Sequence, residues 1–324
     1  MTGGRAQHTR ILVVGAGAVG GLFGGLMAAH GRDVSFLVRP ARAEELQTNG
    51  LQLVGTAGGS LDQVHAVPVT TVTTEGLANA EPFDVVLLAV KAYGLDSAID
   101  DIAPAVRHGT AVVPVLNGMR HLDRLAGRFG AAHLIGGFAF VSSFLDQHGR
   151  ITTGSVAASI TYGELDGSIT ERIERFHAAA DGCGFRATLS PTILADMWAK
   201  WVFLASFAAL NVLTGGSVGE AARAPGGPET ARALLAEAAA VAEAGGHRPP
   251  PEKLAGDLAI LTATDSDNRA SMDKDRRAGR PVESEAIIGD MVDRAGVAGI
   301  EVPLHRAARA ALGVYEGRRA ATVG

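Results

Sequence analysis

Cysteine is almost absent: one residue, Cys183, in 324. A lone thiol excludes an internal disulfide framework and fits a reducing cytoplasm. It lies in Gly182-Cys183-Gly184-Phe185, which reads as a turn into a strand, so a buried structural thiol is expected rather than a redox centre. An excess of positive charge is also missing. With 29 Lys+Arg against 34 Asp+Glu the formal net charge is −5, leaving no electrostatic reason to bind nucleic acid or an anionic membrane. Every long apolar stretch carries strand or turn signals or an embedded lysine, so none reads as a membrane span. There is no internal repeat and no low-complexity segment longer than a loop, and no metal site is expected. What remains, 47% hydrophobic and 19% charged residues, describes a soluble globular protein whose length suits two domains.

The two parts differ in pattern. Up to residue 190, short apolar runs at 11–15, 34–38, 84–89, 111–115 and 133–139 alternate with helical segments at 20–31, 41–49 and 93–106. Fully apolar strands separated by helices predict an α/β fold whose parallel sheet is covered on both faces. Alternating polarity over 138–163 predicts antiparallel strands added to that sheet, followed by a helix (168–182) and a strand (184–189). From Pro191 to residue 317, alanine, leucine and charged residues recur at helical spacing, broken at Gly215-Gly216, Pro225-Gly226-Gly227-Pro228 and Pro249-Pro250-Pro251. The expectation is an α/β domain over 1–190 and an all-helical domain over 191–324, with mobile ends at 1–9 and 318–324.

The first strand runs into a Gly-x-Gly-x-x-Gly turn: Ile11-Leu12-Val13-Val14-Gly15-Ala16-Gly17-Ala18-Val19-Gly20. Gly15 permits the tight turn, Gly17 lets the backbone approach a pyrophosphate, and Gly20 lets the helix pack close on the sheet. The phosphates would rest on the free N–H groups at the start of the helix. Arg39 ends the next apolar run, where an acidic residue would hold an adenosine ribose diol. An arginine pairs instead with a 2′-phosphate, so NADP(H) is favoured over NAD(H). Ordinary strand-turn-helix packing competes with this reading. A secretory leader, suggested by Arg5 and Arg10 before the apolar run, fits less well, because a second strand follows at once.

Four further places carry chemistry. From Met197 to Gly219 the only ionisable residue is Lys200, on a helix apolar on nearly every face. It reads either as a snorkelling lysine or as a general acid tuned by desolvation and a nearby carboxylate. The charged run from Ala270 to Glu283 contains Ser271, Asp275 and Glu283. It reads as a solvated face, with Glu283 as a first-turn acid of the next helix, or as part of a site. Lys91 and Asn117 each follow a parallel strand, at the end where open α/β sheets bind ligands. Their plainer readings are a loop lysine and an Asn-Gly turn.

Taken in order, Gly15–Gly20, Arg39, Val90-Lys91-Ala92, Asn117-Gly118, Trp198-Ala199-Lys200 and Ser271-Met272…Asp275…Gly279-Arg280…Glu283 resemble the ketopantoate reductase (2-dehydropantoate 2-reductase) family, over nearly the whole chain. The resemblance implies an N-terminal Rossmann-like dinucleotide-binding domain, a helical substrate domain, and NADPH-dependent reduction of a 2-oxo acid, 2-dehydropantoate to pantoate in pantothenate biosynthesis. It implies Lys200 as the general acid and Glu283 as its holder. Asn117, Ser271 and Asp275 are implied at the substrate. Gly15, Ala16, Gly17, Ala18, Val19, Gly20, Arg39, Lys91, Asn117 and Glu283 are implied at the cofactor. The chain departs from the family at Leu204 and Ala208, where asparagines are usual, and at Leu116, where glutamine or histidine is common. Asn211 is the nearest replacement for the lost amides. These departures raise a family member acting on a more apolar 2-oxo acid as the near alternative, with a non-catalytic NADP(H) sensor and an oxidative β-hydroxyacid dehydrogenase as rivals. The Ala- and Leu-rich helices after 228 could supply a homodimer face.

Overall fold

The computed structural model describes residues 9–55, 64–154 and 157–323. The chain forms two compact units. One comprises the residues up to Leu116 with His121–Ile193, the other Asn117–Arg120 with the chain from Leu194 onward. The break falls just past the expected Pro191. Nothing in the sequence marks Asn117–Arg120 as belonging with the later helices.

The first unit holds strands β1 (Ile11–Val14), β2 (Val34–Leu37), β3 (Leu51–Val54), β4 (Val64–Val67), β5 (Thr70–Val72) and β6 (Val85–Leu88). After them come β7 (Ala111–Pro114), β8 (Ile135–Phe140), β9 (Ser143–Leu145), β10 (Ile151–Thr153), β11 (Ser159–Glu164) and β12 (Arg186–Leu189). Between the strands lie helices α1 (Ala18–Ala29), α2 (Pro40–Asn49), α3 (Thr74–Leu77), α4 (Leu95–Ile102), α5 (Arg120–Phe129) and α6 (Glu171–Ala180).

One sheet is wholly parallel, in the order β5-β2-β1-β6-β7, with Ile11 opposite both Val34 and Val85. Ile11, Leu12, Val13, Val86 and Leu87 are fully buried, as strands covered on both faces must be. Counted within this sheet, the order is third-second-first-fourth-fifth. The topology therefore reverses between β1 and β6, the crevice where such sheets bind ligands.

The sheet differs from the sequence expectation in its fifth member. That strand is β5, a short and half-polar run. The apolar run at 133–139 instead forms β8 in a separate three-stranded sheet, β12-β11-β8, antiparallel to β11. A single bridge, Val112 to Leu134, joins it to the parallel sheet. The expected antiparallel strands thus do not extend the first sheet. β9 and β10 pair antiparallel with each other, and β10 runs parallel to β3 in another sheet, of order β4-β3-β10-β9.

Among its described residues the second unit has helices as its only regular elements: α7 (Ile193–Thr214), α8 (Val218–Arg223), α9 (Gly227–Ala244), α10 (Pro251–Leu261), α11 (Ser271–Arg277), α12 (Asp290–Ala298) and α13 (Pro303–Val323). A π-helical turn, Glu285–Gly289, runs directly into α12. Helix ends follow their local chemistry. Ser217 and Glu220 close a reciprocal capping box on α8, and Gly299 ends α12 at φ +68°. Residues 318–323 continue α13 and are not a loose end; 1–8 lie outside the described residues. Among the described residues α7 alone is long and apolar enough to cross a membrane. It is packed into the unit through Trp201, Val202, Ala205, Ala208 and Ala209, all nearly or fully buried.

Candidate active site

In the first unit the glycine turn is shaped by three different constraints. Gly15, at φ +98°, holds a left-handed conformation, and a Cβ there would stand 3.1 Å from the Ala89 carbonyl oxygen. Gly20 lies so close to the turn after β1 that a Cβ would meet the Gly15 carbonyl oxygen at 2.1 Å. A Cβ on Gly17 would meet nothing within 4 Å. Gly17 caps α1 with no side-chain hydrogen bond, leaving the first-turn N–H groups for an outside acceptor. Ala16, Ala18 and Val19 are partly exposed around this opening. The surroundings therefore fit a dinucleotide pyrophosphate.

A cavity of about 570 Å³ extends from the turn. Gly15 and Ala16 line it beside Arg39 and Arg42, with Thr74, Glu75 and Asp101 also on its wall. Arg39 is exposed and precedes Pro40 at the start of α2. Arg42, one turn later, pairs with Glu45 at 2.5 Å. Sequence reasoning passed over Arg42, although three residues along a helix place it beside Arg39. Lys91 is exposed and caps a short 3₁₀ turn, Ala92–Gly94, after β6.

In the second unit α7 presents Lys200 partly buried, and its Nζ donates to Asn117 Oδ1 at 3.1 Å. Burial pulls the ammonium down to about 8, while the Glu283 carboxylate acts in the opposite direction. Glu283 is itself buried, and its carbonyl accepts the Ile287 N–H of the π-helical turn. Three residues expected at the site from distant parts of the chain are thus within one unit: Lys200, Asn117 and Glu283. The arrangement is a cation with lowered proton affinity, an amide acceptor that orients it, and a carboxylate that offsets its desolvation.

The other expected residues stand differently. Ser271 is exposed at the first position of α11, and Asp275 pairs with Arg280 at 2.9 Å. Asn211 departs from the expectation of a substrate ligand. It is fully buried, its Nδ2 donating to the Gly216 carbonyl and its Oδ1 accepting the Ala270 N–H at 2.8 Å. Spent on backbone groups, it fixes the start of α11 next to Ser271. The charged run is no simple solvated face either. Asp273 is fully buried under Arg269, Arg276 and Arg277, a cluster whose spacing looked like surface. Leu204, one turn after Lys200, is partly exposed, whereas Ala208 and Leu116 are buried.

Known protein families match both parts of the chain. The family described as ketopantoate reductase PanE/ApbA matches residues 11–167, and its C-terminal counterpart matches residues 192–316. An uncharacterized oxidoreductase, YkpB of Bacillus subtilis, is 31% identical over 310 residues, covering 96% of this chain and all of its own. A 2-dehydropantoate 2-reductase of Mesorhizobium japonicum is 29% identical over 88% of this chain and 93% of its own. The crystal structure of 2-dehydropantoate 2-reductase from Methylococcus capsulatus, 26% identical, superposes with a TM-score of 0.83 over 96% of this chain and 97% of that one. The chain belongs to the ketopantoate reductase family, oxidoreductases that use a nicotinamide dinucleotide on small keto acids.

Proposed function

We propose that this protein reduces the carbonyl of a 2-oxo acid to a hydroxyl with NADPH, and that 2-dehydropantoate, giving pantoate, is its leading substrate. The observation that carries the reading is the Lys200 ammonium, half-sheltered, held by Asn117 and lowered to about 8. The nicotinamide, when bound, supplies the hydride that goes to the carbonyl carbon. Negative charge then develops on the carbonyl oxygen. Lys200 donates a proton to that oxygen and stabilises the charge as it forms. Solvent returns the proton to the amine before the next cycle. Glu283 keeps the ammonium charged in a partly dry setting, and Ser271 is assigned to substrate oxygens. Gly15–Gly20 would seat the pyrophosphate, and Arg39 with Arg42 the 2′-phosphate that separates NADPH from NADH. A reducing cytoplasm suits a chain whose lone thiol, Cys183, is fully buried and donates to the Ala179 carbonyl.

A second reading has its own observation. Positions three, four and seven residues after Lys200 lie on the same helix face and hold Phe203, Leu204 and Phe207. All three are partly exposed, with the two rings 5.6 Å apart. A wall of this kind favours an apolar side chain over a hydroxylated one. The deciding experiment follows NADPH consumption over 2-dehydropantoate and a set of branched and aromatic 2-oxo acids. Highest kcat/KM on 2-dehydropantoate supports the first reading, and highest kcat/KM on an unhydroxylated acid supports the second. Tight NADPH binding with no turnover of any acid contradicts both and leaves a cofactor-binding sensor.

A further inference from the structure

The hydrogen bond from Lys200 to Asn117 joins residues far apart in sequence, so the asparagine must be held in place by packing rather than by chain continuity. The π-helical turn Glu285–Gly289 provides the seat. Gly118, at φ +83°, lies so close to it that a Cβ atom would stand 2.1 Å from the Ala286 carbonyl oxygen. Arg120 reaches along the helix that continues from the turn, Nη2 lying 2.5 Å from Asp293 Oδ2 and Nε 3.6 Å from Asp290 Oδ1. From the other side Trp201, the neighbour of Lys200, donates its indole N–H to the Ile287 carbonyl at 2.9 Å. The residues that follow Asn117 and Lys200 thus grip one turn, and Glu283 leads into it. π-Helical turns are uncommon and concentrate at functional sites.

We propose that Arg120 is a positioning residue: its ion pairs with Asp290 and Asp293 clamp the Asn117–Arg120 segment onto the π-helical turn and keep the Asn117 amide oxygen on the Lys200 ammonium. The inference rests on the reading of Lys200 as the proton donor. An isolated pair as exposed as Arg120 and Asp293 would contribute little. Here the pair belongs to a network. Arg309 bridges Asp293 at 2.7 Å and Glu285, within the turn, at 2.5 Å, and Arg294 pairs with Asp290 at 3.2 Å. The charged groups that these contacts connect to the lysine and the turn are Glu283, Glu285, Asp290, Asp293, Arg120, Arg294 and Arg309.

Two effects of removing Arg120 have opposite signs, and this makes the inference testable. Loss of a positive charge by itself favours the ammonium and moves Lys200 titration upward. Loss of the Asn117 acceptor disfavours the ammonium and moves it downward. The chain has only four lysines, Lys91, Lys200, Lys253 and Lys274, so ¹³C NMR of labelled lysine ε-carbons follows Lys200 in the whole protein without substrate. Lys200→Arg assigns the signal.

Arg120→Met and Asn117→Ala are each expected to lower the Lys200 midpoint by up to about one pH unit. The double variant should fall no further, and Arg120→Lys should stay near the wild type. Gly118→Ala, which carries no charge change, should lower it as well and serves if Arg120→Met does not fold. In turnover, Arg120→Met should lose about fivefold in kcat with the NADPH KM unchanged, as expected for a misplaced reacting group. A midpoint that stays or rises in Arg120→Met, or a double variant that falls below both single ones, overturns the inference. If the wild type turned over no 2-oxo acid, the proposed function would fail, while the titration would still decide the role of Arg120.

Discussion

The two units build their candidate sites by opposite means. In the first, the main chain does the work: glycines at fixed spacing, open N–H groups at a helix start, and arginines at an exposed rim. In the second, side chains do it: a sheltered ammonium, an amide and a carboxylate from three separate segments. A backbone site is written in a few consecutive residues, and its geometry follows from which atoms are missing. A side-chain site depends on long-range packing, so its members gain meaning only when the helices are assembled.

This contrast can be broken by substitution. Lys200→Ala should cost most, about 10²- to 10⁴-fold in kcat with the best substrate, since it removes the proposed proton donor while leaving the glycine turn intact. NADPH affinity, read by fluorescence titration, should stay close to wild type in that variant. In the first unit two neighbouring glycines should separate binding from folding. Gly17→Ala points a methyl group into open space where the pyrophosphate is proposed, and should weaken NADPH by about 10- to 100-fold with an unchanged melting temperature. Gly20→Ala should instead lower stability by about 1–3 kcal/mol or more, because its methyl group meets the Gly15 carbonyl. Arg39→Ala should have the smallest effect, about tenfold on NADPH and little on NADH. Equal loss for both cofactors would remove Arg39 from the 2′-phosphate, and a compensating role for Arg42 would show in the double variant.

The sequence was informative where a local pattern has one physical cause. The strands β1, β2, β6 and β7 are read from their short apolar runs, which the structure buries, and the glycine turn from its spacing. It misled where partners are remote. The run at 133–139 has the same apolar character as a central strand, yet β8 pairs antiparallel with β11, while the half-polar β5 takes the edge of the parallel sheet. Asn211 looked available because its backbone partners, Gly216 and Ala270, lie in turns that sequence does not bring to it. Lys200, Glu283 and Asn117 could be named together through family resemblance. Their spacing alone carried no such grouping, nor did it show Arg42 or the π-helical turn.

The central claim is that the Lys200 ammonium is the proton donor, and the pH dependence of kcat/KM for 2-oxo acid reduction tests it most directly. A group lowered from the usual lysine value to about 8 is protonated below that pH and loses its proton above it. The rate should therefore be level near neutrality and fall about tenfold per pH unit above about pH 8, with Lys200→Ala abolishing the fall. A rate that holds constant from pH 7 to about pH 10, or a fall that persists unchanged in Lys200→Ala, would contradict the account.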